Sequence, residues 1–428
     1  MIGLRASLWL LPAAMSVLAF VLAYLLLRLG PSLPLGEVRG SWWLFSGDPD
    51  TARDLLATLA SAMITMTSLV VSITVVVLTL AANQLGPRLV ANFMADNQIK
   101  AVLGLFIGTI LYLLTILRSL SIDPGSSEVP HLAVTVGTAF SILCLLALLF
   151  YVHKIARSII ADTAVRNVAE ALRHAIAHNL PELDEAGSGE ASQIPPERAP
   201  EHWLALGETG YVQVIDYGAI ARLAQREDVV VHLAVRPGHF VLAEGRHFAV
   251  LSSRADELAN EIRSQIVIGP ERSPAQDLEY AVRQLVEIAL RALSPGINDP
   301  FTAIAAIDHL GAALGDALGR GPPETVLRDD QGRVRVLASA PDFAGLVDAA
   351  FNQIRQAGRE NAAVLIELAD ILGKLVPAVR SPAQRQAILD HLGLVERAGG
   401  RHLEETRDKA DLAGRIAAAR RELAESAE

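Results

Sequence analysis

The sequence is poor in cysteine and in aromatic residues, and few of its charges fall in the first 155 residues. Cys144 is the only cysteine among 428 residues, so an intrachain disulfide or a multi-cysteine metal cluster cannot form. The formal net charge is −10, which argues against nucleic acid as a partner because neutralising phosphates requires a basic surface. These scarcities exclude a disulfide framework and disfavour a nucleic-acid-binding protein.

The chain also lacks the short motifs that mark common catalytic sites. It contains no P-loop, no Gly-x-Ser-x-Gly nucleophile elbow and no His-Glu-x-x-His metalloprotease motif. His232, His239 and His247 lie on or beside predicted strands, but no cysteine is nearby and few carboxylates face them, so surface or packing roles are favoured. We therefore expect no enzymatic activity, no cofactor and no bound metal ion.

Hydrophobic residues make up 51% of the chain, and four long apolar runs account for much of this content. A helix needs about 20 residues to cross a bilayer. The runs predict spans at about 6–27, 55–85, 101–117 and 131–153. The last span is expected to continue as a cytoplasmic helix, which gives a transmembrane domain of residues 1–178. No small-x-small cleavage site follows the first run, which favours an uncleaved span over a signal peptide.

Basic residues beside the spans predict the orientation of the protein. Lys154, Arg157 and Arg166 follow the fourth span, whereas Arg118 is the only basic residue between the third and fourth. The loop after the first span departs from this pattern, because it holds both basic and acidic residues. The best fit is a multi-pass protein of the bacterial inner (cytoplasmic) membrane with both termini in the cytoplasm.

The second span is the most informative stretch of the sequence. No ionisable side chain occurs between Asp54 and Arg88, and polar residues recur at alternating steps of three and four. This 3.5-residue repeat suits a left-handed bundle of identical helices. The predicted pore-lining face comprises Asp54, Thr58, Ser61, Thr65, Ser68, Ser72, Val75, Thr79 and Asn83. The opposite face comprises Met63, Met66, Val70, Ile73 and Val77.

Two interpretations of the polar face are open at this point. In the first, several copies of the helix line a pore, copies of Asp54 form an acidic ring that favours cations, and Val75 is an apolar constriction. In the second, the hydroxyl groups bond to their own helix or across a dry helix pair, and the chain is a membrane-anchored signalling or assembly protein without conduction. A secondary transporter is disfavoured, because the spans carry no internal charge that could couple an ion.

The rest of the chain predicts a cytoplasmic part in three segments. A linker rich in Pro, Gly, Ser and Glu is expected at 179–204, a small β-containing unit at 205–252 and a helical domain at 253–428. The pattern Val235-x-x-Gly238-x-x-Val241-x-x-x-Gly245 resembles half of a barrel-sandwich domain of the biotinyl/lipoyl type. That family attaches its cofactor to a lysine at the hairpin tip. The chain has no lysine between positions 154 and 374, so the carrier function is excluded.

A turn between two predicted helices is the second candidate site. Pro295 stops the first helix, Gly296 can take a positive φ, and Asp299 can cap the next helix with Pro300 at its first position. The turn is either a plain helix connection or a regulatory or ligand site, where amides at a helix start bind an anion. The site would comprise Ser294, Gly296, Asn298 and Asp299.

The uninterrupted run SPGINDPFTA at residues 294–303 resembles the hallmark of a family of bacterial predicted membrane proteins catalogued only as a domain of unknown function. Residues 211–216 and the Gln84-x-x-Pro87-Arg88 end of the second span are also similar to that family. The resemblance covers nearly the whole chain. It implies an amino-terminal membrane domain followed by a cytoplasmic domain, and no established reaction.

Together these patterns predict an integral membrane, mainly α-helical protein. Its four transmembrane helices precede a small barrel-sandwich-like β-containing unit and a helical cytoplasmic domain. The predicted function is an oligomeric, cation-preferring channel regulated by the cytoplasmic part. Its predicted partners are the lipid bilayer, further copies of the chain and ions, with no nucleic acid.

Overall fold

Helices dominate the structure, and internal contacts divide the chain into two compact units, Met1–Thr163 and Ala164–Glu428. The computed structural model describes residues 9–29, 44–84, 96–122, 129–158, 161–182, 202–252 and 254–426. Most of the predicted linker, residues 183–201, lies outside the described residues. The two units are considered one at a time.

The first unit contains four long helices where the sequence predicts membrane spans. They are α1 (Leu10–Leu29), α2 (Pro49–Gln84), α3 (Asn97–Ile122) and α4 (His131–Ser158). The third is longer than the predicted span, which covered only its apolar centre. A further helix, α5 (Ala161–Asn179), follows α4, and residues 159–160 between them lie outside the described residues.

α3 is the central helix of the first unit, since it contacts α1, α2 and α4. Two glycines let it approach α1 closely. A Cβ atom added at Gly104 would lie 2.7 Å from Met15 Sδ and 3.0 Å from Pro12 Cα, and one added at Gly108 would lie 3.3 Å from Ala19 Cβ. Gly104 and Gly108, at Gly-x-x-x-Gly spacing, thus form part of the surface of α3 that contacts α1. Small residues have the same role in other membrane helix pairs.

Polar groups buried in the first unit find partners on neighbouring helices. The Tyr112 hydroxyl donates to the Ala133 carbonyl at 2.8 Å, which joins α3 to α4. Thr109 Oγ1 lies 3.3 Å from Cys144 Sγ, a second link between the same helices. Thr74 Oγ1 contacts the Tyr151 hydroxyl and joins α2 to α4. These links satisfy polar groups that a bilayer could not solvate.

The second unit contains two small sheets. The strands are β1 (Gly210–Ile215), β2 (Val231–Leu233), β3 (Phe240–Val241), β4 (Phe248–Val250), β5 (Ile266–Gly269), β6 (Val326–Arg328) and β7 (Val334–Leu337). One sheet has the order β3-β1-β5 and the other β4-β2-β7-β6. Among the strands of the described residues, only β2 and β7 form a parallel pair. Helices α6 (Tyr217–Arg226) and α7 (Ala255–Arg263) share an apolar core with both sheets.

The strand pairing corrects the barrel-sandwich prediction. The predicted turn at residues 236–238 is present, and Gly238 has a φ of +93°. Its flanking strands do not pair with each other: β2 pairs with β4 and β7, while β3 pairs with β1. The hairpin of the biotinyl/lipoyl type is therefore absent, because the turn carries the chain from one sheet to the other. Strands β5, β6 and β7 also extend the β structure beyond residue 252.

Helices fill the remainder of the second unit. They are α8 (Leu278–Ala292), α9 (Pro300–Leu318), α10 (Phe343–Ala357), α11 (Ala362–Leu375), α12 (Pro382–His402) and α13 (Thr406–Glu425). Side-chain caps begin most of them. Asp277, Asp299, Asp342 and Asn361 each accept a bond from an amide at the helix start, and Ser381 and Gln384 form a capping box.

Five helices of the described residues are long and apolar enough to cross a membrane, rather than the four expected. Four are α1 to α4, with mean hydropathies of 2.1 to 2.4. The fifth is α9, which has a lower mean hydropathy of 1.2. α9 lies within the predicted helical domain, where it contacts α8, α10 and α11.

The close approach of α1 and α3 predicts the effect of filling Gly104. Replacing Gly104 with Ile forces the two helices apart, since Pro12 is backbone that cannot rotate away, and should cost about 1–3 kcal/mol. The thermal unfolding midpoint of detergent-purified protein measures this cost. Leu114→Ile is the matched control, because Leu114 lies on the exposed side of the same helix. Equal midpoints for the two variants would contradict the packing described here.

Candidate functional site

The polar stripe of α2 faces away from the helices that pack on it. Met63, Val70 and Val77 are buried against the rest of the first unit. The exposed residues of the predicted pore-lining face are Asp54, Thr58, Ser61, Thr65, Ser68, Ser72, Val75 and Thr79. Asn83 lies in α2, but its side chain is outside the described part of the structure. The packed face and the polar face are therefore on opposite sides of one helix.

The threonines of the stripe bond to their own helix. Thr58, Thr65 and Thr79 each donate from Oγ1 to the carbonyl four residues earlier, at 2.8, 3.1 and 2.9 Å. These bonds satisfy the hydroxyl protons and leave acceptor lone pairs directed outward. The stripe can thus face either water or another helix without an unsatisfied donor at those three positions.

Exposed apolar side chains border the stripe on both sides. Leu69 and Val76 lie along one border, and Ile64 and Val71 lie along the other. Between them the stripe forms a narrow polar band on an otherwise apolar surface. Such a band is unfavourable against lipid hydrocarbon, so it requires a polar or closely packed neighbour.

The predicted regulatory turn connects α8 to α9 with well-defined geometry. The Asn298 amide donates to the Ser294 carbonyl at 2.9 Å, and the Asp299 amide donates to the Ala292 carbonyl at 2.8 Å. Asn298, rather than Gly296, takes the positive φ, at +49°. Asparagine tolerates this conformation better than most residues. The structure thus corrects the role of Gly296 and brings the four predicted residues together in one turn.

Asp299 caps α9 as the sequence indicates. Its Oδ1 accepts from the Thr302 amide at 3.2 Å, and its Oδ2 accepts from Thr302 Oγ1 at 2.6 Å. The hydrogen bonds from Thr302 hold the pKa of Asp299 below its usual range. The cap thus already supplies a carboxylate to the helix start, where the functional interpretation would place an external anion. Ile297 and Phe301 beside it are exposed, Phe301 by 83%.

A buried ionic network around Gly238 is not predicted by the sequence analysis. Arg272 donates to both carboxylate oxygens of Asp277, at 2.7 and 2.9 Å, and Asp277 is 2% exposed. Burial raises the pKa of Asp277, against the lowering effect of Arg272. Arg236 donates to Glu279 at 2.7 Å beside this pair. The sequence indicates only that Asp277 precedes a helix and can cap it. The ion pair of Asp277 with Arg272 depends on how β1, β3 and α8 pack, which the sequence does not show.

The three histidines considered in the sequence occupy separate environments. His232 stacks on Trp203, with ring centroids 5.2 Å apart, and His239 accepts from Arg236 at 3.2 Å. His247 is buried and accepts from the Leu206 amide at 2.9 Å. Burial lowers the pKa of each imidazole. Among the described residues, no group of three or more metal-ligating side chains comes together.

The ionic network beside Gly238 leaves no room for a side chain at this position, so a substitution there should destabilise the protein. A Cβ atom there would overlap the Asp277 carboxylate, and the backbone has a positive φ. Gly238→Ala should therefore destabilise the protein by roughly 2 kcal/mol or more, through strain and a broken ion pair. Gly207→Ala is the control, since Gly207 has a φ of +83° but open space around it. Thermal unfolding should show a smaller loss for Gly207→Ala; equal losses would contradict the role of Asp277.

Comparisons with known proteins support a membrane family without an established activity. The model of the family described as "Predicted membrane protein (DUF2254)" matches residues 5–374. Uncharacterised proteins of Mycobacterium tuberculosis and Mycobacterium bovis are each 31% identical to the chain over 384 residues, 88% of this chain and 73% of the relative. No solved structure matches the chain. The apolar helices and the extent of the match lead to one conclusion: the chain belongs to this family of predicted membrane proteins.

Proposed function

We propose that the protein is an oligomeric, cation-preferring channel of the bacterial inner membrane, with α2 lining its pore. The observation that carries the proposal is the exposure of the polar stripe on the side of α2 opposite its packed face. The described residues of a single copy leave this band exposed. Several copies arranged around an axis would give each stripe a common aqueous space, and the 3.5-residue repeat suits such a bundle.

Four spans, α1 to α4, form the membrane part in this proposal, and both termini are cytoplasmic. α9 is a core helix of the second unit, supported by its low hydropathy and by its buried Ala303, Ile307, Leu310 and Leu314. A lipid-facing helix would have little reason to bury these residues against amphipathic neighbours such as α8 and α10. The basic residues after α4 support the orientation.

The proposed pore has an acidic mouth and an apolar constriction. Asp54 is exposed near the start of α2, so copies of it would form a ring that attracts cations. Val75 is exposed between Ser72 and Thr79, and a ring of valines would narrow the path and restrict water. The cytoplasmic part, including the Ser294–Asp299 turn, regulates opening in this scheme. The proposal includes no catalytic step and no cofactor.

A second candidate function is a membrane-anchored signalling or assembly protein without conduction. The observation that favours it is the bonding of Thr58, Thr65 and Thr79 to their own helix, which lets the stripe pack against another helix without water. The exposed Ile297 and Phe301 would then be available to a protein partner. Both candidates require copies or partners at α2, and they differ in whether water enters.

Planar bilayer recording of the purified protein tests conduction directly. The channel proposal predicts single-channel currents with a cation-selective reversal potential, which Asp54→Asn shifts toward zero by removing the acidic ring. Val75→Ser should increase the conductance by removing the constriction.

Val71→Ser is the matched control for the constriction, because Val71 is also an exposed valine of α2 but lies outside the stripe. It should leave the conductance unchanged. Absence of any current from the folded protein, or an unchanged reversal potential in Asp54→Asn, would overturn the channel proposal and leave the anchor.

A further inference from the structure

A cationic cleft lies between α10 and α12 of the second unit, away from the α8–α9 turn in sequence. Its volume is about 200 Å³, and its polar lining comprises Arg355, Gln356, Arg359, Arg397, Arg401 and His402. Four arginines thus line one small space in a chain whose net charge is −10. The cleft is not part of the proposed pore.

The four arginines lie at or near the carboxyl-terminal ends of α10 and α12. Arg355 lies in the last turn of α10 and Arg359 in the turn after it, while Arg401 lies in the last turn of α12 and Arg397 one turn earlier. α10 and α12 pack on each other. Cations near helix carboxyl ends are favourable, which accounts for Arg355 and Arg401 alone but not for the convergence of all four.

Three of the four cleft arginines differ from their neighbours in lacking a carboxylate partner among the described residues. Among the described residues, no carboxylate lies within 4.0 Å of Arg355, Arg397 or Arg401, and the contact of Arg359 with Glu360 is exposed and 3.4 Å long. Nearby arginines of the same helical layer are paired closely. Arg415 donates to Asp370 at 2.6 Å, and Arg420 donates to Glu396 at 2.7 Å.

Arg355 is the least satisfied of the four. Its Nε is buried and has no hydrogen-bond acceptor. Burial and the neighbouring charge of Arg397 lower the pKa of Arg355. A buried donor without an acceptor is costly, and so are like charges that share a cleft. An anion seated in the cleft would remove both costs at once.

We infer that this cleft binds a phosphate-bearing ligand. Guanidinium groups match phosphate oxygens with paired hydrogen bonds, and a site with four of them favours a ligand that carries more than one negative charge. A volume of about 200 Å³ accommodates a diphosphate-sized group. The phosphate belongs either to a soluble di- or triphosphate or to the headgroup of an anionic phospholipid. The inference is independent of ion conduction.

Isothermal titration of the full-length protein in neutral detergent with sodium pyrophosphate tests the site. One pyrophosphate should bind per chain, and binding should weaken at least tenfold in Arg397→Gln and in Arg355→Gln. Arg407→Gln is the matched control, since Arg407 is an exposed arginine outside the cleft. Pyrophosphate should also raise the thermal midpoint of the unmodified protein and of the control, but not of the cleft variants.

Arg397→Lys keeps the positive charge but loses the planar guanidinium group, so this variant should bind pyrophosphate with intermediate affinity. It replaces the Gln variants in the test if they fail to fold. No binding up to about 1 mM pyrophosphate, or equal weakening by Arg407→Gln, would overturn the site.

Nanodiscs distinguish the two sources of phosphate. If a lipid headgroup occupies the cleft, pyrophosphate binds more weakly in phosphatidylglycerol than in phosphatidylcholine nanodiscs, and Arg397→Lys reduces this difference while Arg407→Gln retains it. If the ligand is soluble, Arg397→Lys and Arg407→Gln show the same lipid dependence as the unmodified protein. Both outcomes support the cleft as a phosphate site and assign its source.

Discussion

The inability of a bilayer to hydrogen-bond polar groups is the constraint on which the first unit depends. Thr109 and Tyr112 of α3 contact hydrogen-bonding partners on α4, and Tyr151 of α4 contacts Thr74 of α2, so these polar groups are satisfied within the protein. Only one side of α2 is packed against neighbouring helices. Its packed face is apolar, while its outer face carries a band of hydroxyl groups that the described residues leave exposed. In the proposed function, further copies of the chain cover this band, which connects the packing of the membrane unit to conduction.

The second unit resolves its polar groups differently, by pairing charges. Asp277 and Arg272 form a buried pair beside Gly238, and most helix starts are capped by a side chain. The cleft between α10 and α12 differs, since Arg355, Arg397 and Arg401 converge there with no carboxylate of the described residues within 4.0 Å. The stripe exposes polar groups, and the cleft holds arginines without close carboxylates. We propose that each of them contacts something outside the chain.

Features set by local chemistry were predictable from the sequence. The apolar runs locate α1 to α4, and Pro295, Asp299 and Pro300 define the turn between α8 and α9 because capping and proline effects depend on adjacent residues. Features set by distant packing were not predictable. The pairing of β2 with β7 joins residues about 100 positions apart. The network at Asp277 and the arginine cleft also need the fold, because each arginine alone resembles an ordinary charged surface residue.

The central claim is that the polar stripe of α2 contacts water, and cysteine accessibility tests it most directly. Replacing Cys144 with Ala gives a cysteine-free background, into which single cysteines are placed at Thr58, Thr65 or Ser72 and, for comparison, at Leu69 or Val71. A charged, membrane-impermeant thiol reagent is applied to the protein in sealed vesicles. The account predicts rapid labelling at the stripe positions and slow labelling at the two bordering positions, because only a thiol in water ionises readily. Equally slow labelling at all five positions would contradict it and show that the stripe packs against another helix without water.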